Sequence, residues 1–139
     1  MVSKLDTSLE EIECVFLDLD GTIYLGGELI PGAIDFLNRL KMKNIRFFFL
    51  SNNSSKSVNQ YLAKLNAMNI PAEVDDVILS THDLITWLKK NGVSETYLVG
   101  TSGMQEMLES ANIKTKSDEP EYVVPVSYRH LTLPTICSV

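Results

Sequence analysis

Two carboxylates one residue apart, Asp18 and Asp20, close a short apolar run, Cys14-Val15-Phe16-Leu17, and are followed by Gly21. The run has no polar break, which suits a strand buried on both faces of a parallel sheet. In an extended chain residues i and i+2 point the same way. Both carboxylates should therefore face one crevice at the C-terminal end of that strand, where open α/β sheets bind ligands, with Leu19 turned back to the core. Paired carboxylates repel each other unless something positive sits between them. Mg²⁺ is the natural partner, since it takes carboxylate, carbonyl and water oxygens. A carboxylate neutralised in this way can approach a phosphate and attack it, giving an aspartyl-phosphate. The second carboxyl can protonate the leaving oxygen and later activate water. Gly21 allows a tight turn and a close approach of the backbone. Read alone, the same residues also fit a strand running into an Asx-type turn or a helix cap.

The flanking sequence predicts the elements that hold this pair. Residues 1–11 read as a loose lead-in, and Tyr24-Leu25-Gly26-Gly27-Glu28-Leu29 as a flexible hairpin or flap. Pro31 is expected to open a helix at its first turn, with Ala33, Phe36, Leu37 and Leu40 on the sheet-facing side and Lys41 and Lys43 suiting its C-terminal dipole. Ile45-Arg46-Phe47-Phe48-Phe49-Leu50 is a second apolar strand, ending in Ser51-Asn52-Asn53-Ser54-Ser55. A helix follows, with Val58, Tyr61, Leu62 and Leu65 on its apolar face, then a short strand, Val77-Ile78-Leu79. Alternation of strand and helix implies parallel strands joined by right-handed crossovers.

A second set of elements begins near Ser80. Ser80 with Asp83, and Ser102 with Gln105, resemble capping boxes. Leu84, Ile85 and Leu88 line the first of these helices, which Asn91-Gly92 ends. Met104, Met107, Leu108 and Ala111 line the second. Tyr97-Leu98-Val99 and Tyr122-Val123-Val124 read as strands. Residues 100–103 read as a turn, because they lack the lysine and glycine spacing of a Walker motif. His82 fits a polar residue at a helix start, and Trp87 a core or interface residue.

Ser51 should close the second strand beside Asp18 and face the same crevice, with the backbone N–H groups after it forming a nest for an anion. By itself that stretch fits a polar loop with an N-cap serine equally well.

The 139 residues suffice for one modest domain, and 45% apolar content allows a core. Net charge is −6 with no Lys/Arg cluster, which argues against nucleic acid or an anionic membrane surface as partner. An acidic protein can still bind phosphate where a metal supplies local positive charge. Of the two cysteines, Cys14 reads as a small core residue, and nothing suggests a disulfide framework or a zinc site. The polar N-terminus and the absence of a run approaching roughly 20 apolar residues predict a soluble, cytoplasmic protein.

Asp18-Leu19-Asp20-Gly21-Thr22-Ile23-Tyr24 after an apolar strand resembles the first motif of the haloacid dehalogenase superfamily, and Ser51-Asn52-Asn53 matches its second. Gly21-Thr22-Ile23-Tyr24, Pro31-Gly32-Ala33 and Ser51-Asn52-Asn53-Ser54 are similar to the NagD-like branch, subfamily IIA, of sugar-phosphate, nucleotide and pyridoxal-phosphate phosphatases. The resemblance covers about residues 12–125. It implies an α/β fold: a Rossmannoid core with a partial parallel sheet over residues 1–79, the beginning of an inserted α/β cap over residues 80–125, and a probable non-native tail over residues 126–139. The tail, Val126-Ser127-Tyr128-Arg129-His130-Leu131, resembles adapter read-through at the ends of metagenomic gene models, and an ordinary divergent C-terminus is its alternative.

Carried over residue by residue, the resemblance makes Asp18 the phosphoryl-accepting nucleophile and Asp20 the general acid/base. Asp18 and Asp20 also hold Mg²⁺, Asp20 through its backbone carbonyl. Thr22 orients Asp20, with Gly21 beside it. Ser51 and the Asn52 amide bind phosphate, and Asn53 lies on the substrate side. The implied partner is a small phosphorylated substrate, and family caps leave room for a homo-oligomer through the cap. A lysine and a further Asp pair, which the family carries after its cap, cannot be placed in this sequence. Lys114, Lys116 and Asp118 lie in the cap-like half and do not match those roles. The strands that follow the cap would flank the first strand, so the expectation for this chain alone is an exposed apolar edge, low stability and little or no catalysis. A non-catalytic phosphate-binding or regulatory protein is the alternative function. A receiver-like phospho-acceptor is a third, which Ser51 and the cap-like segment disfavour.

Overall fold

The computed structural model describes residues 11–126. Its elements in chain order are β1 (Cys14–Asp18), β2 (Tyr24–Leu25), β3 (Glu28–Leu29), α1 (Ala33–Met42), β4 (Arg46–Ser51), α2 (Val58–Ala67), a 3₁₀ turn (Val74–Asp76), β5 (Val77–Leu79), α3 (Ser80–Lys90), β6 (Thr96–Val99), α4 (Ser102–Ser110) and β7 (Tyr122–Pro125). They fall into two compact units. One gathers the described residues up to Ser51 with Lys64–Ile78; the other gathers Asn52–Ala63 with the described residues from Leu79 onward.

In the first unit β1, β4 and β5 form a sheet in that order. β1 and β4 run parallel, with Cys14 opposite Arg46 and Asp18 opposite Leu50, as the strand–helix alternation predicts. The pleat sorts the side chains. Leu17, Phe49 and Val77 are buried, and α1 packs along β4. Cys14 and Phe16 leave from the other face and are exposed, Phe16 at 58%. Among the described residues β1 is thus an edge strand covered on one face. Cys14 is an exposed free thiol and not the core residue its apolar neighbours suggest, because a strand that alternates can bury only the face that something covers. Phe16 stacks on Phe48 at 5.6 Å, and the Arg46 guanidinium lies 4.7 Å above the Phe48 ring.

β2 and β3 pair antiparallel, Tyr24 with Leu29, so the glycine pair does close a hairpin; Gly26 takes φ 60° there. Pro31 does not occupy the first turn of α1. The helix begins at Ala33, with Gly32 as N-cap at φ 87°, a left-handed conformation that keeps proline one residue outside the cap. Ala33, Leu37 and Leu40 are buried as predicted, but Phe36 is 45% exposed and lies off the sheet-facing stripe.

In the second unit β6 and β7 run parallel, Thr96 opposite Tyr122 and Val99 opposite Pro125. A core of Leu88, Val93, Met104, Leu108, Ile113, Val124 and Val126 gathers there. The Val126 amide donates to the Val99 carbonyl at 2.9 Å, while residues 127–139, including His130 and Cys137, lie outside the described residues. Neither predicted serine cap forms. The Leu79 amide ahead of α3 donates to His82 Nδ1 at 3.0 Å, so His82 caps the helix and, when so bonded, carries its proton on Nε2. Ahead of α4, Thr101 is the N-cap, its hydroxyl accepting from the Met104 amide at 3.3 Å. Trp87 is 47% exposed, its ring edge-to-face with Tyr122 at 5.6 Å.

All four helices among the described residues end the same way. Asn44, Asn69, Gly92 and Asn112 each take a positive φ, between 55° and 71°, and the amide of the next residue reaches back five positions to a leucine carbonyl. The pairs are Ile45 to Leu40, Ile70 to Leu65, Val93 to Leu88 and Ile113 to Leu108, at 2.9–3.0 Å. This is the Schellman arrangement, with its apolar contact between C″ and C3. Every one of these eight apolar residues is buried.

Candidate functional site

The site is built from the end of β1 and the loop after it. Leu19 is fully buried, which anchors the chain where the strand stops. Its carbonyl accepts from the Thr22, Ile23 and Tyr24 amides at 3.2, 3.0 and 3.4 Å. That convergence folds residues 20–24 into a turn. Gly21 makes it possible with φ 88°, a region that costs an ordinary L-residue about 1–2 kcal/mol. Its own amide donates to the Tyr24 carbonyl at 2.7 Å, and Ile23 and Tyr24 pin the loop by burial. Asp18, Asp20 and Thr22 are left exposed around the buried Leu19. Lys64 sits 3.7 Å from the Tyr24 ring centroid, closing the loop from behind.

Ser51 is the last residue of β4, beside the end of β1. Asp18 is in register with Leu50, so the pleat sends Ser51 to the side of the sheet opposite Asp18. Ser51 is 6% exposed. The two side chains thus leave neighbouring strand ends from opposite faces.

Asn52 and Asn53 open the second unit. The Asn52 carbonyl accepts from the Ser80 hydroxyl at 3.2 Å, while its side chain is on an exposed residue. Asn53 Oδ1 accepts from the Ser55 amide at 3.0 Å and from the Ser55 hydroxyl at 2.6 Å, an Asx-type turn. Part of the expected anion nest is therefore already occupied. The Ser55 amide is held by Asn53, and the Ser57 amide by Gln60 Oε1 at 2.9 Å. The Gln60 amide in turn donates to Ser57 Oγ at 3.2 Å. Ser57 and Gln60 form a capping box ahead of α2, written in the sequence as Ser-x-x-Gln. Gly103, read from sequence as a turn residue, lies in the first turn of α4 against this loop. A Cβ there would meet Gln60 Oε1, the Ser57 amide nitrogen and the Ser55 carbonyl oxygen at 2.3, 2.8 and 2.9 Å.

The donors at the end of β1 are hard oxygens, two carboxylates and backbone carbonyls on exposed residues. That chemistry fits Mg²⁺, which is held by one or two carboxylates and keeps several waters. Among the described residues no group of three or more His, Cys, Asp or Glu gathers into a metal cluster, so water or other oxygens would complete the shell. Lys114 is engaged elsewhere, 2.7 Å from Glu95. Among the described residues no helix is long and apolar enough to cross a membrane.

The family model for haloacid dehalogenase-like hydrolases matches residues 15–114. Acid sugar phosphatases of Staphylococcus saprophyticus and Staphylococcus aureus are each 33% identical, over 135 and 137 residues. In both cases the match covers 92% of this chain and 52% of the relative. A crystal structure of a 4-nitrophenylphosphatase from Thermotoga maritima superposes with TM-score 0.81 and 35% identity, covering 91% of this chain and 49% of that one. A glycerol phosphate phosphatase from Mycobacterium tuberculosis, in complex with magnesium, gives TM-score 0.75 and 25% identity over 90% of this chain and 39% of that one. The chain spans about half the length of the curated relatives it matches.

Proposed function

Because this chain belongs to the haloacid dehalogenase-like hydrolase family, we propose that it is the N-terminal part of a Mg²⁺-dependent phosphomonoester hydrolase acting through an aspartyl-phosphate on Asp18. The observation that carries this reading is the pair of exposed carboxylates flanking a fully buried Leu19 at a parallel strand's C-terminal end. A buried anchor between two exposed acids fixes their position without covering them.

In this reading an Asp18 carboxylate oxygen attacks phosphorus, and the bond from phosphorus to the ester oxygen breaks. Asp20, entering as the acid, gives its proton to the departing alkoxide. Asp20 as carboxylate then takes a proton from water. The resulting oxygen attacks phosphorus, releasing inorganic phosphate and restoring Asp18. Asp18 and Asp20 would hold Mg²⁺, whose charge offsets the repulsion between carboxylates and phosphate. Thr22 steadies Asp20 across the Gly21 turn. Ser51 leaves the opposite pleat side from Asp18, so in this reading it and the Asn52 amide bind the phosphate oxygens over the C-terminal edge of the sheet, where the two strands end side by side, and Asn53 has the looser, substrate-side role. The substrate is a small phosphorylated metabolite of the sugar-phosphate, nucleotide or pyridoxal-phosphate kind. The names of the acid sugar, 4-nitrophenyl and glycerol phosphate phosphatase relatives support that class. Residues from Ser80 to Pro125 are read as the beginning of the cap.

The test is a chimera joining residues 1–126 to the half of the Staphylococcus aureus relative that this chain does not match. It should hydrolyse 4-nitrophenyl phosphate only with Mg²⁺, and Asp18→Asn should abolish turnover while inorganic phosphate still binds. Turnover that survives Asp18→Asn would refute the assignment.

A further inference from the structure

The loop that carries Asp20 and Thr22 is closed by Tyr24. The Tyr24 carbonyl accepts from the Gly21 amide at 2.7 Å, and the Tyr24 amide donates to the Leu19 carbonyl at 3.4 Å. Asp20 and Tyr24 also form a backbone bridge. The Tyr24 side chain is fully buried, so what holds that ring also holds the backbone around Asp20. Lys64 covers one side of it. The ammonium lies 3.7 Å from the ring centroid, contact distance for a cation on the negative face of an aromatic ring. Lys64 stands in the last turn of α2 and is half-buried. The next residue, Leu65, is fully buried and fixes that turn. A lysine near a helix C-terminus ordinarily keeps its charged head in water, where it still complements the dipole. Here the head is turned onto a ring with no exposed surface, and a cation–π contact strengthens as water is removed from it. Arg46 over Phe48, at 4.7 Å, is the same kind of contact at the first residue of β4, the end of the strand away from the Asp20 loop.

We propose that Lys64 is a positioning residue for Asp20, acting through the Tyr24 ring. The proposal rests on the reading of Asp20 as the acid that protonates the leaving oxygen. Lys64 needs no contact with the ester in this role; it sets how firmly residues 20–24 keep their turn. The consequence is selective. Phenolate is a strong enough base to leave phosphorus with a proton from Asp20, whereas 4-nitrophenolate leaves as the anion. The two esters have nearly the same shape, so a loosened loop should slow transfer to Asp18 from one and spare the other. That difference is read in kcat/KM, which spans binding and phosphorylation of Asp18.

In the chimera, Lys64→Met keeps the length of the stem and removes the charge. It should lower kcat/KM for phenyl phosphate by about fivefold or more and for 4-nitrophenyl phosphate by less than about twofold. Lys64→Arg, which retains a cation for the ring, should recover most of the loss, and Arg46→Met should change neither value. The 139-residue chain gives a readout that needs no activity. Amide hydrogen exchange followed by NMR should quicken by about fivefold or more at Gly21, Thr22 and Ile23 in Lys64→Met, and stay unchanged at Phe48 and Phe49 of β4. Equal loss on both esters marks a general loss of structure and would overturn the proposal. So would no loss on phenyl phosphate, a Lys64→Arg protein as impaired as Lys64→Met, the same effect from Arg46→Met, or unchanged exchange in the loop. If the unaltered chimera turns over neither ester, the phosphatase reading falls, and loop exchange alone decides whether Lys64 positions Asp20.

Discussion

Asp18 and Asp20 differ from the other acidic residues in what lies between them. Leu19 is fully buried and collects three amides on its carbonyl, so the two carboxylates are held by the core although neither is part of it. Replacing Asp18 by Asn in the chimera should reduce turnover by about a thousandfold or more, because no side chain then accepts the phosphoryl group. Asp20→Asn should cost about 10²–10⁴-fold while a phosphorylated Asp18 still forms with a good leaving group such as 4-nitrophenolate. Rapid-quench kinetics separate the two. A residue-level effect unrelated to catalysis sits at Glu95 and Lys114. The Lys114 ammonium hydrogen-bonds Glu95 and, with Ser117, holds its carboxyl below the usual carboxylate range. The same bond raises Lys114. A lowered carboxyl stabilises the fold above its unfolded pKa, and that contribution is lost as pH falls through the folded value. A raised ammonium stabilises it below its unfolded pKa, with loss as pH rises through the folded value. The pair therefore acts fully from about pH 5 to about pH 10. Both side chains are solvated, so the effect is small. Glu95→Gln should lower the urea midpoint slightly at pH 7, and by less as pH falls through the carboxyl's lowered folded value.

At the scale of elements, the helix ends are the most regular feature. Asn112→Ala places a Cβ-bearing residue with no local hydrogen-bonding capacity at φ 62° and should cost about 1 kcal/mol, whereas Asn112→Gly should be neutral or stabilising. Chemical denaturation measures both. Gly103→Ala keeps an allowed helical conformation but drives a methyl into the Ser55–Ser57 backbone. Overpacking of this kind costs about 1–3 kcal/mol, and the same denaturation curves would show it. These features separate what the sequence discloses from what it hides. Every predicted strand is found, because runs such as Phe47-Phe48-Phe49 and Tyr97-Leu98-Val99 leave few alternatives. The spacing Leu-x-x-x-(Asn/Gly)-(Ile/Val) occurs at all four helix ends, but only Asn91-Gly92 carries the glycine that marks such an end on its own. The serine caps failed for a physical reason. Ser80 and Ser102 each lie one residue inside the helix, and the neighbouring Leu79 amide and Thr101 hydroxyl meet partners that spacing rules do not rank, His82 Nδ1 and the Met104 amide. Gly103 was illegible because its role depends on residues 43 and more positions away. The Asp pair was legible because its chemistry is local, while the opposite pleat sides of Asp18 and Ser51 required the register.

For the whole molecule, Cys14 and Phe16 carry the main lesson. An apolar run predicts burial on both faces only if two layers exist to cover it, and in the described residues one face of β1 is open. An uncovered apolar face and a free edge favour association, so Phe16→Glu should raise the concentration at which the isolated chain stays monomeric, as read by light scattering. The phosphorus–oxygen bond to Asp18 can be trapped directly. The chimera is mixed with a phosphomonoester and Mg²⁺, quenched in acid within the first turnovers, digested and weighed by mass spectrometry. One phosphoryl group is expected on the peptide containing Asp18, and none on that peptide from Asp18→Asn. Turnover with the phosphoryl group on another residue, or with none trapped while the Asp18→Asn protein remains active, would contradict Asp18 as the nucleophile.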